Sequence, residues 1–127
     1  MIKGVYHILR NSTPVTDVVS QKIFPVVIPQ GTKYPCLVIN TDSTQVNMHK
    51  QSPTGLVEVA LQVEIYADNY ADVEAIKNAC RSALDNYKGT AGGETFQRIM
   101  FEDEGSEPLL EPEIFIFTQR YTVRELI

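Results

Sequence analysis

Residues 56–67 carry the clearest pattern in the chain. Val57, Val59, Leu61, Val63 and Ile65 alternate with Glu58, Ala60, Gln62, Glu64 and Tyr66. A period of two, with one apolar and one largely polar face, predicts a strand of an antiparallel sheet covered on one side. The period then changes. Val73, Ile76, Cys80, Ala83, Leu84 and Tyr87 recur at helical spacing. Asp68 or Asn69 is placed to cap that helix, and Gly89 to end it. Arg81 and Asp85 form an i, i+4 pair on its exposed face.

Shorter signals fill in the rest. Apolar positions 2, 5, 6, 8 and 9 suit a short amphipathic helix. Residues 11–14 break it, and Pro14 starts a second short helix with Thr13 as its cap, turning Val15, Val18 and Val19 inward. Residues 23–28 are extended, and Pro25 and Pro29 confine them to a sheet edge or a linker. Residues 36–39 read as a buried strand running on to Val46. Residues 47–54 read as a polar hairpin tip, and residues 90–94 as a small flexible loop. Residues 95–101 alternate as a strand, an acidic stretch with Pro108 and Pro112 reads as a loop, and residues 114–126 form a closing strand with Phe115, Phe117, Tyr121 and Val123 on one face. Sequential antiparallel strands with helices on one side predict an α+β two-layer sandwich. It is a mainly antiparallel sheet of about four strands packed by one long and one or two short helices. Residues 1–127 form a single domain on length, with no internal repeat at solenoid periods.

Composition adds few constraints. Apolar residues at 43% and charged residues at 21% are ordinary for a globular chain, and this length buries enough surface for a core without metal or disulfide. Cys36 falls in an apolar strand and Cys80 on an apolar helix face, so both are expected as buried free thiols. No export signal or membrane-length apolar run stands out, and a cytoplasmic protein is expected. The sequon Asn11-Ser12-Thr13 is then a chance match. Net charge is −5, and its placement matters more than its size. Between Arg98 and Arg120 there is no Lys or Arg, while Glu102, Asp103, Glu104, Glu107, Glu111 and Glu113 all lie there. The rest of the chain is near neutral and holds no basic stripe, so direct nucleic-acid binding is not expected.

Candidate chemistry is sparse. His7 and His49 lack a carboxylate or cysteine at metal-ligand spacing and read as surface or partly packed residues. Gly92-Gly93 precedes a strand rather than the helix that an anion site needs, which leaves flexibility as its role. The acidic stretch lacks EF-hand spacing and any apolar surround that would shift a carboxyl group. Two readings remain for it. It is a solvated loop, or it is a docking surface met by bases of a neighbouring subunit, for which Lys50, Arg120 and Arg124 are the candidates. The polar hairpin likewise reads as a loose tip or as an arm reaching a neighbour.

Taken in order, the opening helix, Ile23-Phe24-Pro25, Pro29-Gln30-Gly31-Thr32 and Tyr34-Pro35 leading into Cys36-Leu37-Val38-Ile39 form a distinctive series. The strand 59–66 runs into Ala67-Asp68 and a helix ending Ala83-Leu84-Asp85; Phe101-Glu102-Asp103 and the last strand follow. In this order the chain resembles, over nearly its whole length, the tail-completion or tail-to-head joining proteins of long-tailed phages and prophages, relatives in fold of the tail terminators. The resemblance implies a non-enzymatic virion protein without cofactor or metal. It would cap the tail tube as a homo-hexameric ring, be monomeric or assembled when isolated, and contact the tail tube protein and the head-tail connector proteins. It implies assembly in the host bacterial cytoplasm, then residence in the virion tail. Interface residues expected from exposure and charge are Lys50, Glu102, Asp103, Glu104, Glu107, Glu111, Arg120 and Arg124. The alternative from a different class is a small α+β ligand-binding or regulatory module, with a metal-dependent hydrolase a distant third.

Overall fold

The alternating segment becomes β4 (Leu56–Ala67), which pairs along its whole length with antiparallel β7 (Phe115–Leu126): Leu56 lies opposite Leu126 and Ala67 opposite Phe115. The computed structural model describes residues 1–41, 50–51, 56–106 and 114–126. On one flank of this pair lies β2 (Cys36–Thr41), antiparallel to β4, then β1 (Ile23–Pro25), parallel to β2. On the other flank lie β6 (Glu94–Ser106) and β5 (Gly89–Ala91), both antiparallel to their neighbours. The order is β1-β2-β4-β7-β6-β5, and β3 (Lys50–Gln51) pairs with β4 beyond the end of β2.

Among the described residues the sheet therefore has seven strands, not about four. The four long ones are those that the alternation predicts. The additional strands are two or three residues long, too short to show a period, and they hold position only because a long neighbour supplies their partners.

Three helices cover one face. They are α1 (Ile2–Arg10), α2 (Thr13–Val19) and α3 (Tyr70–Leu84). Leu37, Ile39, Leu61, Val63, Ile65, Ile99, Tyr121 and Val123 from the sheet meet Val5, Leu9, Val15, Val19, Ile76, Cys80 and Leu84 from the helices in one buried core. The opposite face keeps Glu58 exposed and Gln62, Glu64, Arg120 and Thr122 half-buried, as the polar half of the alternation requires. Cys36 and Val38 are buried on that side, outside the helix-facing core. The two cysteines are free and lie on opposite sides of the sheet, so no disulfide joins them.

Several boundaries depart from expectation for local reasons. Asn69, rather than Asp68, caps α3 by accepting the N–H of Asp72 at 2.9 Å. Ser12 is the cap residue of α2, with Pro14 one position further in. Helix α3 stops at Leu84, well short of Gly89. Asp85 turns extended, Asn86 takes φ 65°, and the chain then runs beside β6, with Asn86 N–H donating to Ile99 C=O at 2.7 Å and Ile99 N–H to Tyr87 C=O at 3.0 Å. The Asp85 carboxylate serves β6 by accepting the Phe101 N–H, while the Arg81 guanidinium sits 3.9 Å from the Phe101 ring centroid. Gly92 and Gly93, at φ 58° and 81°, are the tight turn of the β5–β6 hairpin rather than a flexible loop. The largest correction is in the acidic stretch: Glu102, Asp103 and Glu104 belong to β6, not to a loop.

The first turn of α1 sits directly on that hairpin. Met1 offers no side-chain cap, and Glu94, 90 residues away in sequence from Gly4, accepts the Gly4 N–H instead. Gly4 permits this approach. A Cβ there would stand 2.5 Å from the ring of buried Phe96. Gly4→Ala is therefore expected to lower stability by about 1–3 kcal/mol through overpacking, seen as a reduced urea midpoint with an unchanged slope.

Candidate functional site

Two β-bulges shape the outer part of β6. Between Phe96 and Arg98, and again between Phe101 and Asp103, the strand carries one residue more than β7 opposite. The second bulge leaves Glu102 unpaired in the ladder and breaks the alternation, so Glu102 and Asp103 are both exposed. Glu104 returns to the helix side. Its carboxylate lies 3.5 Å from the Lys77 ammonium and accepts the side-chain N–H of Gln119 at 3.2 Å.

Gln119 is fully buried and joins three elements. Its amide also donates to the Lys77 C=O of α3 at 3.0 Å, and its oxygen accepts the Tyr121 hydroxyl at 2.9 Å. A buried polar group is tolerated only when satisfied, and this network meets that condition while fixing α3 over β6 and β7. Its job is positional, and it turns the Glu104 carboxylate toward α3.

The expected interface residues divide accordingly. Glu102 and Asp103 lie together at the bulge. Arg120 stands opposite Asp103 and donates to it at 3.0 Å, and Arg124 donates to Glu58 on β4 at 3.3 Å. Both pairs are largely exposed, and such pairs contribute only about 0–1 kcal/mol. An incoming charge can displace them cheaply. Lys50 is on β3, its backbone opposite Glu58. Glu107 and Glu111 lie outside the described residues. Arg120 and Arg124, two of the bases proposed as a neighbour's contribution, thus answer carboxylates of their own chain, which the sequence does not indicate because those carboxylates are on other strands.

A shallow concavity of about 270 Å³ opens on the polar face, with Gln62, Glu102, Asp103, Arg120 and Thr122 around it. Asp103 and Arg120 answer one another there, while Glu102 stays exposed. Among the described residues, no cluster of three His, Cys, Asp or Glu side chains is arranged to hold a metal ion.

A second surface, missed in the sequence, lies at the far edge of the sheet. Between α1 and β1 runs an open groove of about 480 Å³ bounded by Ile2, Tyr6, Phe24 and Pro25, with Lys3 also lining it. Val26 and Val27 follow, 61% and 65% exposed. The available signal was the run Phe24-Pro25-Val26-Val27-Ile28, whose prolines prevent it from entering the sheet interior.

The geometry defines an α+β domain whose sheet is covered by helices on one face and exposes charged residues on the other. The sequence matches the family described as tail completion protein gp17 over residues 3–125. The chain belongs to that family, whose members are structural tail proteins. A chain from the virion of a native gene transfer agent particle shares the fold, with a TM-score of 0.79 at 14% identity, covering 96% of this chain and 91% of that one. A second solved chain aligns with a TM-score of 0.58 at 12% identity, covering 93% and 89%. No curated protein matches the sequence.

The buried acids of the core give a pH dependence. Burial pushes the Cys80 thiol up to about 12 and the Cys36 thiol to about 11 from 9.0, with Lys22 partly offsetting the second. Burial, reinforced by the Glu64 carboxylate, pushes Tyr66 to about 12 from 10.0, and burial also raises Tyr121. The unfolded chain ionises first as pH rises, so stability is complete below about pH 9 and falls through about pH 9–12. Melting temperature should decline over that window, and less steeply in Cys80→Ala. Both thiols should resist a thiol reagent at about pH 8 until the chain unfolds. Gln119→Leu should cost about 1–3 kcal/mol by stranding the Tyr121 hydroxyl, and adding Tyr121→Phe should recover part of it.

Proposed function

We propose that this protein is a non-enzymatic subunit of a homo-hexameric ring that caps the tail tube and joins it to the head connector. Family membership over residues 3–125 is the observation that carries the reading. The likeness to a chain of a gene transfer agent virion, over nearly the full length of both, supports the same setting. The surface suits such a role: charges are exposed and loosely paired, and the polar sheet face is free of a second layer among the described residues. Its partners would be further copies of itself, the tail tube protein and the connector proteins, with assembly in the host bacterial cytoplasm followed by incorporation into the virion tail. The exposed acids Glu102 and Asp103 belong to the contacts, and Glu107 and Glu111 extend the same acidic stretch in sequence.

Absolute mass by light scattering over a range of concentrations, with negative-stain images of the same samples and of samples mixed with tail tubes, tests this reading. Rings, or a mass six times that of one chain, free or at tube ends, are the expected result. A single-chain mass at every concentration with bare tube ends would overturn it.

A further inference from the structure

Charge is divided unevenly along this chain. Residues 1–40 contain Lys3, Arg10, Lys22 and Lys33 against Asp17 alone, a net +3, and the remainder of the chain is at −8. Those forty residues build α1, α2, β1 and most of β2, which is one end of the strand order. Lys3, Lys22 and Lys33 have no ion-pair partner among the described residues; Lys3 lines the apolar groove, and Lys22 and Lys33 stand in the chain on either side of β1 and the two exposed valines.

That edge is shaped to present side chains rather than to accept a strand. Pro25 has no N–H, its C=O accepts the Val27 N–H at 2.9 Å, and the Ile23 N–H is taken by Gln21 C=O. Strand addition is thereby blocked. Val26 nevertheless adopts φ 72°, a strained conformation for a β-branched residue, and its N–H is tied to Ile39 C=O at 3.0 Å. The strain turns Val26 and Val27 into solvent, where they contribute nothing to the core.

The opposite edge has the complementary character. β5 covers only residues 94–96 of β6, and residues 85–87 cover 99–101. From Glu102 onward, no strand among the described residues lies on the outer side of β6. The bulge there exposes Glu102, which has no ion-pair partner among those residues, and Asp103, held only by a half-exposed arginine. Further along this flank, Tyr70 is 59% exposed and stands edge-on to Phe115, two residues beyond the pairing of Phe117 with Ser106.

We infer that these two edges are the two halves of one heterologous contact: the α1–β1 edge of one copy docks on the β6 edge of a second copy. Lys22 and Lys33 face Glu102 and Asp103, and Val26 and Val27 pack toward Tyr70. Because the two halves are different surfaces, the α1–β1 groove and the uncovered outer side of β6 from Glu102 onward, each copy uses both, and the contact repeats in one direction until it closes. Opposite potentials align the approach, and assembly is correspondingly salt-sensitive. The inference rests on the ring reading above and adds which surfaces make the ring.

Swapping charge on each edge separately tests it. Lys22→Glu/Lys33→Glu has two acidic edges, and Glu102→Lys/Asp103→Lys has two basic ones. Each alone should stay a single chain where the native protein assembles. An equimolar mixture should assemble again, since alternating copies restore every contact in a ring of even number. Val26→Gly separates folding from docking. Relief of the left-handed strain should leave its melting temperature unchanged or raised, while the concentration needed for assembly rises about tenfold or more. If the native protein forms rings and either swapped variant does so equally well, or the mixture fails to recover, the edge assignment is overturned and the ring reading stands. If the native protein forms no ring even on tail tubes, the ring reading fails and the assignment with it.

Discussion

The twelve-residue pairing of β4 with β7 is the constraint on which the rest of the molecule depends. Its register is unbroken from Leu56–Leu126 to Ala67–Phe115. A shift of one residue would carry Leu61, Val63, Ile65, Tyr121 and Val123 to the solvent side and Gln62, Glu64 and Arg120 into the core. With the register fixed, one face must be covered, and the three helices cover it. β2 and β6 then extend the same two faces outward. Gln119 locks the covering layer from within, because its buried amide reaches both the α3 backbone and the β6 carboxylate Glu104.

Features with a long period were legible in the sequence. β4 shows ten consecutive alternating positions, and α3 shows helical spacing over about four turns, so neither needed a tertiary contact to be recognised. β1, β3 and β5 are each stabilised by a neighbour rather than by their own pattern. The end of α3 was misplaced because Tyr87 continues the helical spacing beyond the helix. In the fold it does so from an extended segment, with its ring edge-on to Phe96. Glu102-Asp103-Glu104 read as a loop because adjacent acids are poor strand formers in isolation. They are held in β6 by ladder bonds to β7, and the bulge relieves the crowding by placing two of the three outward.

The site was legible in part. The absence of positive charge between Arg98 and Arg120 singles out acids of which Glu102 and Asp103 are exposed in the fold. It could not show that Arg120 and Arg124 answer carboxylates of their own chain, since Asp103 and Glu58 become neighbours only through strand register. The basic character of residues 1–40 is not evident in the sequence because its four bases are scattered over forty residues, and only the fold puts Lys3 in the groove between α1 and β1. Nor does any residue pattern announce Val26. A valine with φ 72° is visible only in the backbone, and its meaning comes from the contrast between local strain and 61% exposure.

Core and perimeter therefore answer to different requirements. The core is closed, satisfied and chemically quiet, with its thiols and phenols held neutral by burial. The perimeter keeps lysines without an ion-pair partner among the described residues, weakly paired acids and two exposed valines outside the core. A monomer selected for stability alone would relax Val26, since a glycine there removes the strain and leaves the core packing as it is. That conformation beside a blocked strand edge, with exposed acids on the outer side of β6, is what the proposed ring contact would use. Folding can then be complete before assembly begins, and the contacts that build the larger structure can be altered without disturbing the sheet that carries them.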